Sequence, residues 1–168
     1  MNDAMLELAR AAAPVVAERV GYANVEFRRG RIEDLALDVD ALDTFLGAHP
    51  IRGAADLPAL DAELARIRRE QPLVADASVD VVVSNCVLNL VQPSAKKALF
   101  TEIYRVLRKG GRAVISDITC DEDVPLALQA DADLWSGCVS GALREDRFLK
   151  AFEDAGFYGI RILDRAAE

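Results

Sequence analysis

The most informative stretch for the fold is Val79-Asp80-Val81-Val82-Val83-Ser84-Asn85-Cys86. Its first five residues are β-branched apart from one aspartate, which is typical of a strand buried on both faces in a parallel sheet. The strand ends in two small polar residues and a thiol. In open α/β sheets, ligands bind beyond the carboxyl ends of the strands, so Ser84-Asn85-Cys86 is a candidate site. The alternative is a turn with one buried cysteine, because free cysteine packs like a small apolar residue.

Composition places the chain among globular proteins. Its 168 residues are 52% hydrophobic and 29% charged, which is enough for one domain with its own core. The net charge of −8 argues against a nucleic-acid groove and against binding to an anionic membrane surface. No apolar run approaches the roughly 20 residues of a membrane helix, and the N-terminus lacks a signal-peptide pattern. The cytoplasm is therefore the expected location.

Cysteine and histidine usage limits the chemistry. The three cysteines, Cys86, Cys120 and Cys138, are widely spaced, which predicts reduced thiols and no disulfide framework. The single histidine, His49, leaves little from which to build a zinc site or a histidine-based triad. Cys86 follows a strand and Cys138 lies in a glycine-flanked loop, so the two thiols could converge at one sheet edge and bind a thiophilic centre. Two unrelated packing cysteines are the alternative.

Hydrophobic periodicity predicts alternating strands and helices after residue 24. The first helix is expected to end at Gly21 and to kink or restart at Pro14. The predicted fold is α/β, with a mainly parallel, Rossmann-like sheet flanked by helices. Strands are predicted at 24–29, 79–83, 112–118 and 157–163, and further helices at 93–107, 121–135 and 144–155.

Residues 38–72 are predicted to form a helical insertion within a single partial domain that spans residues 1–168. Apolar residues recur at helical spacing in two segments, one before His49-Pro50 and one after Asp56. Two interpretations stay open: a solvated helical hairpin, or a lid over a site.

Several motifs of the chain recur together in one known family. They are the segments 84–90, 104–112, 116–117, 133–143 and 156–157. Together they resemble the class I S-adenosylmethionine-dependent methyltransferases, and among these most closely the arsenite methyltransferases. The 107–112 segment is common to many methyltransferases, whereas the two cysteine segments together are more specific. The resemblance covers residues 1–35 and 78–168.

The resemblance implies S-adenosylmethionine as the cofactor and a small thiophilic molecule, trivalent arsenic, as the substrate. Cys86 and Cys138 would bind arsenic as thiolates, with its lone pair directed at the methyl group of the cofactor. Asn85 would contact the methionine part of the cofactor. Because a sulfonium methyl group is already activated, positioning would be the main contribution of the protein. Contacts to the adenosine are implied for Met1, Ile32 and Glu33.

The sequence also departs from this family. It lacks the Gly-rich cofactor loop, the first two strands, the last strand and a match to the third arsenic-binding cysteine. Backbone groups of the strand at Val79 would then lack partners. Either the strands re-pair, or a partner chain completes the sheet, or the chain is an incomplete copy of a longer protein, which is the interpretation we favour.

Two further functions stay open beside the arsenite methyltransferase. One is a non-catalytic module whose thiols bind a metalloid or which docks on a partner, because the Gly-rich loop is absent. The other is a methyltransferase for a small organic acceptor, in which the cysteines only pack.

Overall fold

Residues 3–165, the part of the chain that this computed structural model describes, contain seven α-helices, three short 3-10 helices and four strands. They belong to two units, residues 1–75 and residues 76–168. The first unit is helical, and the second combines parallel strands with flanking helices. The expectation of one partial domain with an insertion at 38–72 stays a prediction.

Three helices form the first unit: α1 (Asp3–Val20), α2 (Val39–Ala48) and α3 (Leu57–Glu70). α2 begins where the carboxylate of Asp38 accepts hydrogen bonds from the first free backbone N–H groups of the helix. α2 and α3 are the two helices expected between residues 38 and 72. Of the two outcomes expected at Pro14, a kink or a restart, the restart is wrong, because α1 is one helix with that proline inside it.

The predicted strand at 24–29 is wrong, because this segment is irregular. Its alternating apolar side chains are not packed in a core, since Val25 is 62% exposed. A strand also needs a neighbour to accept and donate its backbone hydrogen bonds. No described strand pairs with this segment.

The second unit is built on a βαβ element: β1 (Val79–Asn85), α4 (Lys96–Val106) and β2 (Leu107–Ser116). β1 and β2 are parallel, with Val83 opposite Val114. β2 begins at the residue after the end of α4, so Gly110-Gly111 lies within the strand, which is longer than the predicted 112–118 at its start. The pairing register shifts between residues 79 and 81, beside these glycines.

A second parallel pair and three helices complete this unit. β3 (Thr119–Cys120) pairs with β4 (Leu143–Arg144). The predicted helix at 121–135 is wrong, because two short helices occupy its second half. Pro125 disfavours helical conformation in the residue before it, and the Asp131 carboxylate caps the second helix. The helices are α5 (Leu126–Gln129), α6 (Ala132–Ser136) and α7 (Glu145–Asp154).

Phenylalanines of α4 and α7 pack together in the core of the second unit, beside the aliphatic side chains of α4. The rings of Phe100 and Phe152 meet edge to face at 4.7 Å between centroids. Phe157 follows α7 and packs on Phe152 and on Tyr104. The predicted strand at 157–163 is nevertheless wrong, because the chain is irregular there and Leu163 is 85% exposed.

The expectation that β1 is buried on both faces is also wrong. Val81 and Val83 are 47% and 72% exposed, whereas Ser84 on the opposite face is buried. Among residues 3–165, β1 pairs only with β2, so its sheet has two strands. Along the same residues, no helix combines the length and the hydropathy needed to cross a lipid bilayer.

Candidate functional site

Cys86 lies one residue beyond the carboxyl end of β1. Its N–H donates to the Ser116 carbonyl at 2.8 Å, which extends the β1–β2 pairing by one bond. Its φ is +52°, in the left-handed region that residues with a Cβ rarely adopt. The side chain is exposed. The end of the sheet therefore presents this thiol to solvent at a sharp turn of the backbone.

Cys138 lies in the loop after α6, and its thiol is next to Cys86. The loop begins where the Cys138 N–H donates to the Trp135 carbonyl at 3.0 Å. The Cys138 Sγ donates to the carbonyl oxygen of Cys86 at 3.1 Å. Cys138 is buried and also has a positive φ, +64°. The structure thus brings together the two predicted substrate ligands, whose binding role stays a prediction.

The loop of Cys138 contacts the segment of Cys86 through a residue without a side chain. A Cβ on Gly141 would lie 1.8 Å from the Asn89 carbonyl oxygen, so only glycine allows this approach. On the other side of the loop, the buried Ser140 hydroxyl donates to the Leu128 carbonyl at 2.6 Å. The loop is therefore fixed both to the segment after β1 and to α5.

A polar cluster supports the turn after Cys86. The Asp117 carboxylate accepts the Leu88 N–H at 2.9 Å, and the buried Lys96 ammonium donates to the Leu88 carbonyl at 3.0 Å. The side-chain amide of Asn89 donates to the Ile118 carbonyl at 2.7 Å. Its Oδ1 is buried with no hydrogen-bond partner among residues 3–165.

Burial and neighbouring negative charge set the protonation of the Cys138 thiol. Burial raises its pKa, and the charges of Asp117 and Cys86 raise it further. The neutral thiol is consequently favoured, in agreement with its role as donor to the Cys86 carbonyl. Cys120 has different neighbours: burial, Asp123 and Asp121 raise its pKa, and Arg144 lowers it.

The backbone at the thiols is one of the few strained places in residues 3–165. The only non-glycine residues with positive φ in that range are Ala77, Cys86 and Cys138. A left-handed residue costs about 1–2 kcal/mol, and such residues concentrate at functional sites.

The sequence alone points to only some of the residues around the thiols. Asp117 at a strand end and Gly141 in the glycine-flanked loop belong to the motifs that carry the family resemblance. Asn89 lies in the 84–90 segment of the same resemblance. Nothing local distinguishes Lys96, because its contact with the Leu88 carbonyl depends on the tertiary fold.

The predicted cofactor residues lie in both units. Ile32 and Glu33 belong to the first unit, where Glu33 accepts a hydrogen bond from Arg31 at 2.8 Å. Asn85 ends β1 in the second unit and shares the exposed face of Val81 and Val83. Met1 lies outside the described residues. Within the second unit, Asn85 is therefore part of an open surface, and the contacts of these residues with the cofactor stay predictions.

The first unit contains a charged cleft of about 380 Å³ that involves none of the predicted site residues. Its arginines already contact carboxylates or carbonyls: Arg10 pairs with Asp40 at 3.3 Å, and Arg28 pairs with Glu26 at 2.7 Å. The cleft is therefore an ion-paired surface and does not present free cations to a ligand.

Comparison with known proteins agrees with the α/β fold and with the resemblance seen in the sequence. The sequence family described as "Methyltransferase domain" matches residues 56–156, more than half of the chain. The chain belongs to this methyltransferase family. The crystal structure of an arsenic(III) S-adenosylmethionine methyltransferase from Chlamydomonas reinhardtii matches with a TM-score of 0.62 and 27% identity. That match covers 93% of this chain and 41% of the algal protein.

Two curated relatives of this methyltransferase-family chain are arsenite methyltransferases. It is 34% identical to the Aquipseudomonas alcaligenes protein over 98% of its own length and 37% of that protein. It is 45% identical to the Halobacterium salinarum protein over 53% of its length and 22% of that protein. The chain therefore spans less than half the length of the relatives it matches. The predicted resemblance to arsenite methyltransferases and the predicted fold class are confirmed.

Proposed function

We propose that the chain is part of an S-adenosylmethionine-dependent methyltransferase in which Cys86 and Cys138 bind trivalent arsenic as substrate. The observation that supports this proposal is the contact of 3.1 Å between the Cys138 thiol and the Cys86 carbonyl oxygen. Two cysteines from distant parts of the sequence thus lie at one strand end, and thiolates are the soft ligands that a thiophilic centre prefers. The similarity to arsenite methyltransferases supports the same substrate.

Capture of arsenite by these thiols is a ligand exchange without a change of oxidation state. Arsenous acid loses two hydroxyl groups, two As–S bonds form, and the two thiol protons leave with the hydroxyl groups as two water molecules. Cys86 is exposed and forms the first As–S bond. Cys138 then closes the chelate, and this second step is intramolecular because its thiol already lies at Cys86.

S-adenosylmethionine would supply the methyl group. Its predicted contacts are Met1, Ile32, Glu33 and Asn85, the sequence lacks the Gly-rich cofactor loop, and Asn85 lies on an open surface of the second unit. We therefore expect the isolated chain to bind arsenite but to transfer methyl groups slowly or not at all.

Calorimetric titration of the full chain with arsenite tests the proposal. We expect Cys86→Ser and Cys138→Ser each to weaken binding by about 100-fold, because the chelate advantage is lost. Cys120→Ser is the matched control and should bind like the wild type, since the neighbours of Cys120 are Asp121, Asp123 and Arg144. Arsenite binding that survives the double variant Cys86→Ser/Cys138→Ser would refute the assignment of these thiols.

A non-catalytic metalloid-binding module is the second candidate, supported by the open surface around Asn85. It would use the same two thiols but would not need the cofactor. Incubation of the purified chain with radiolabelled S-adenosylmethionine and arsenite separates the two functions. Methyl transfer above that of the Cys86→Ser/Cys138→Ser variant would exclude the non-catalytic module. Transfer to an organic acceptor by that double variant would instead favour packing cysteines and a different substrate.

A partner chain that completes the sheet belongs to the same proposal. It is supported by the exposed Val81 and Val83 on β1. The cytoplasmic location and the absence of nucleic-acid and membrane partners stay predictions from composition and charge.

A further inference from the structure

Asp117 connects the end of β2 to the turn that carries Cys86. One carboxylate oxygen, Oδ2, accepts the N–H of Leu88 at 2.9 Å, and the other, Oδ1, accepts the N–H of Ile118 at 3.0 Å. Leu88 is only two residues after Cys86. Both oxygens of this carboxylate are thus used to fix backbone next to the thiol pair.

We propose that Asp117 is a positioning residue that keeps the Cys86 carbonyl against the Cys138 thiol by fixing the Leu88 amide. That the pair binds arsenite rests on the proposed function, whereas the positioning itself does not.

The left-handed backbone of Cys86 needs a restraint on each side. On the amino-terminal side, its N–H is bound to the Ser116 carbonyl at 2.8 Å. On the other side, the N–H of Leu88 donates to the side chain of Asp117, the residue directly after β2. Without this second anchor, Cys86 can relax to a negative φ, which turns its carbonyl away from the Cys138 thiol.

The same carboxylate acts on the protonation of the pair. The charged and titratable groups that interact with it are Lys96 from α4 and Cys138 from the loop after α6, and Cys86 also acts on Cys138. After burial, the charge of Asp117 is the next cause that raises the pKa of the Cys138 thiol. Burial lowers the pKa of Lys96, and Asp117 opposes that effect. Removing the charge of Asp117 should therefore lower the pKa of Cys138.

The experiment uses the full chain with Asp117→Asn, Asp117→Glu and the control Asp121→Asn. Asp121 is an exposed carboxylate four residues away that interacts with Cys120 and not with the pair. Hydrogen exchange of the Leu88 amide reports the anchor directly. Quenching of Trp135, the single tryptophan, reports arsenite affinity. The pH midpoint of iodoacetamide alkylation, measured in a Cys86→Ser/Cys120→Ser background, reports the Cys138 thiol.

In Asp117→Asn, we expect the Leu88 amide to exchange at least about tenfold faster and arsenite to bind about tenfold more weakly. A factor of about ten corresponds to the loss of one hydrogen bond to a charged acceptor. The alkylation midpoint should move to lower pH. Asp117→Glu keeps the charge but moves the carboxylate, so exchange should accelerate while the midpoint stays. Asp121→Asn should change none of the three, and the urea transition should persist in every variant.

Leu88 exchange and arsenite affinity within twofold of wild type in Asp117→Asn would overturn the proposal. If that variant loses its urea transition, Asp117→Glu decides by the same two measurements. A wild-type chain that fails to bind arsenite would overturn the proposed function instead. Leu88 exchange and the alkylation midpoint would still decide the role of Asp117.

Discussion

At the scale of single residues, the site depends on backbone conformations and contacts that few residue types allow. Two cysteines adopt positive φ, and a glycine lets one loop reach the carbonyl of Asn89. The Gly141 position is restricted by space and not by its φ, because its Cβ would overlap backbone that cannot move like a flexible side chain.

Gly141→Ala should therefore lower the free energy of unfolding by about 1–3 kcal/mol, the usual cost of overpacking. The added Cβ would lie 1.8 Å from the Asn89 oxygen. Gly137→Ala in the same loop is the matched control, because the nearest atoms to its Cβ would lie at 3.6 Å, an ordinary contact. Urea denaturation of both variants measures the difference. Equal stabilities would mean that the loop does not approach Asn89 this closely.

At the scale of secondary structure, α4 organises the second unit. Its apolar face buries Leu99 and Ile103 completely, and its last turn carries Arg105. That guanidinium binds both carboxylate oxygens of Glu102, at 2.7 and 2.9 Å, and reaches Asp76 just before β1. These charge-assisted bonds raise the pKa of Arg105, the largest cause being Glu102. The contact between Arg105 and Asp76 ties the end of α4 to the segment before β1.

Arg105→Met should lower the free energy of unfolding by about 1–3 kcal/mol. The substitution removes the hydrogen-bond partner of the Glu102 carboxylate, which is only 14% exposed. Arg147→Met is the control: its ion pair with Asp123 is more than half exposed at both side chains, and such pairs contribute about 0–1 kcal/mol. Thermal and urea unfolding compare the two variants. A larger loss for Arg147→Met would contradict this ranking.

At the scale of the whole molecule, apolar surface is left in contact with solvent. Helix α1 buries no residue, and Val81 and Val83 are exposed on β1. An exposed valine-rich sheet face beside an unpaired strand edge promotes association. The net charge of −8 opposes this association, but salt screens the repulsion between chains at distances beyond the Debye length.

We expect the chain to associate reversibly as its concentration rises, and Val83→Lys to weaken this association at least about tenfold, because a buried charge at a contact is costly. Val20→Lys on α1 adds the same charge at a valine that is 50% exposed and serves as the control. Sedimentation velocity over a range of concentrations measures both. The same association constant for Val83→Lys and the wild type would show that the β1 face is not the contact.

Elements whose signal is local could be predicted from the sequence. The strand at Val79, the helix before Gly110 and the helices between 38 and 72 combine strong periodicity with recognisable ends. The strands expected at 24–29 and 157–163 did not form, although their alternation is equally clear. Alternation indicates only which side chains would face a core. A strand also needs a neighbouring strand for its backbone hydrogen bonds, and alternation does not predict that neighbour.

Local periodicity and motifs of a few residues are enough to predict the βαβ unit, the position of Cys86 at a strand end and the family. They do not predict that Cys138 lies at the carbonyl of Cys86, that Asp117 and Lys96 both bind the turn at Leu88, or that one face of β1 is open. The physical reason is that these features are contacts between residues far apart in the chain. Their formation depends on how the loops pack and on which strands are present to pair.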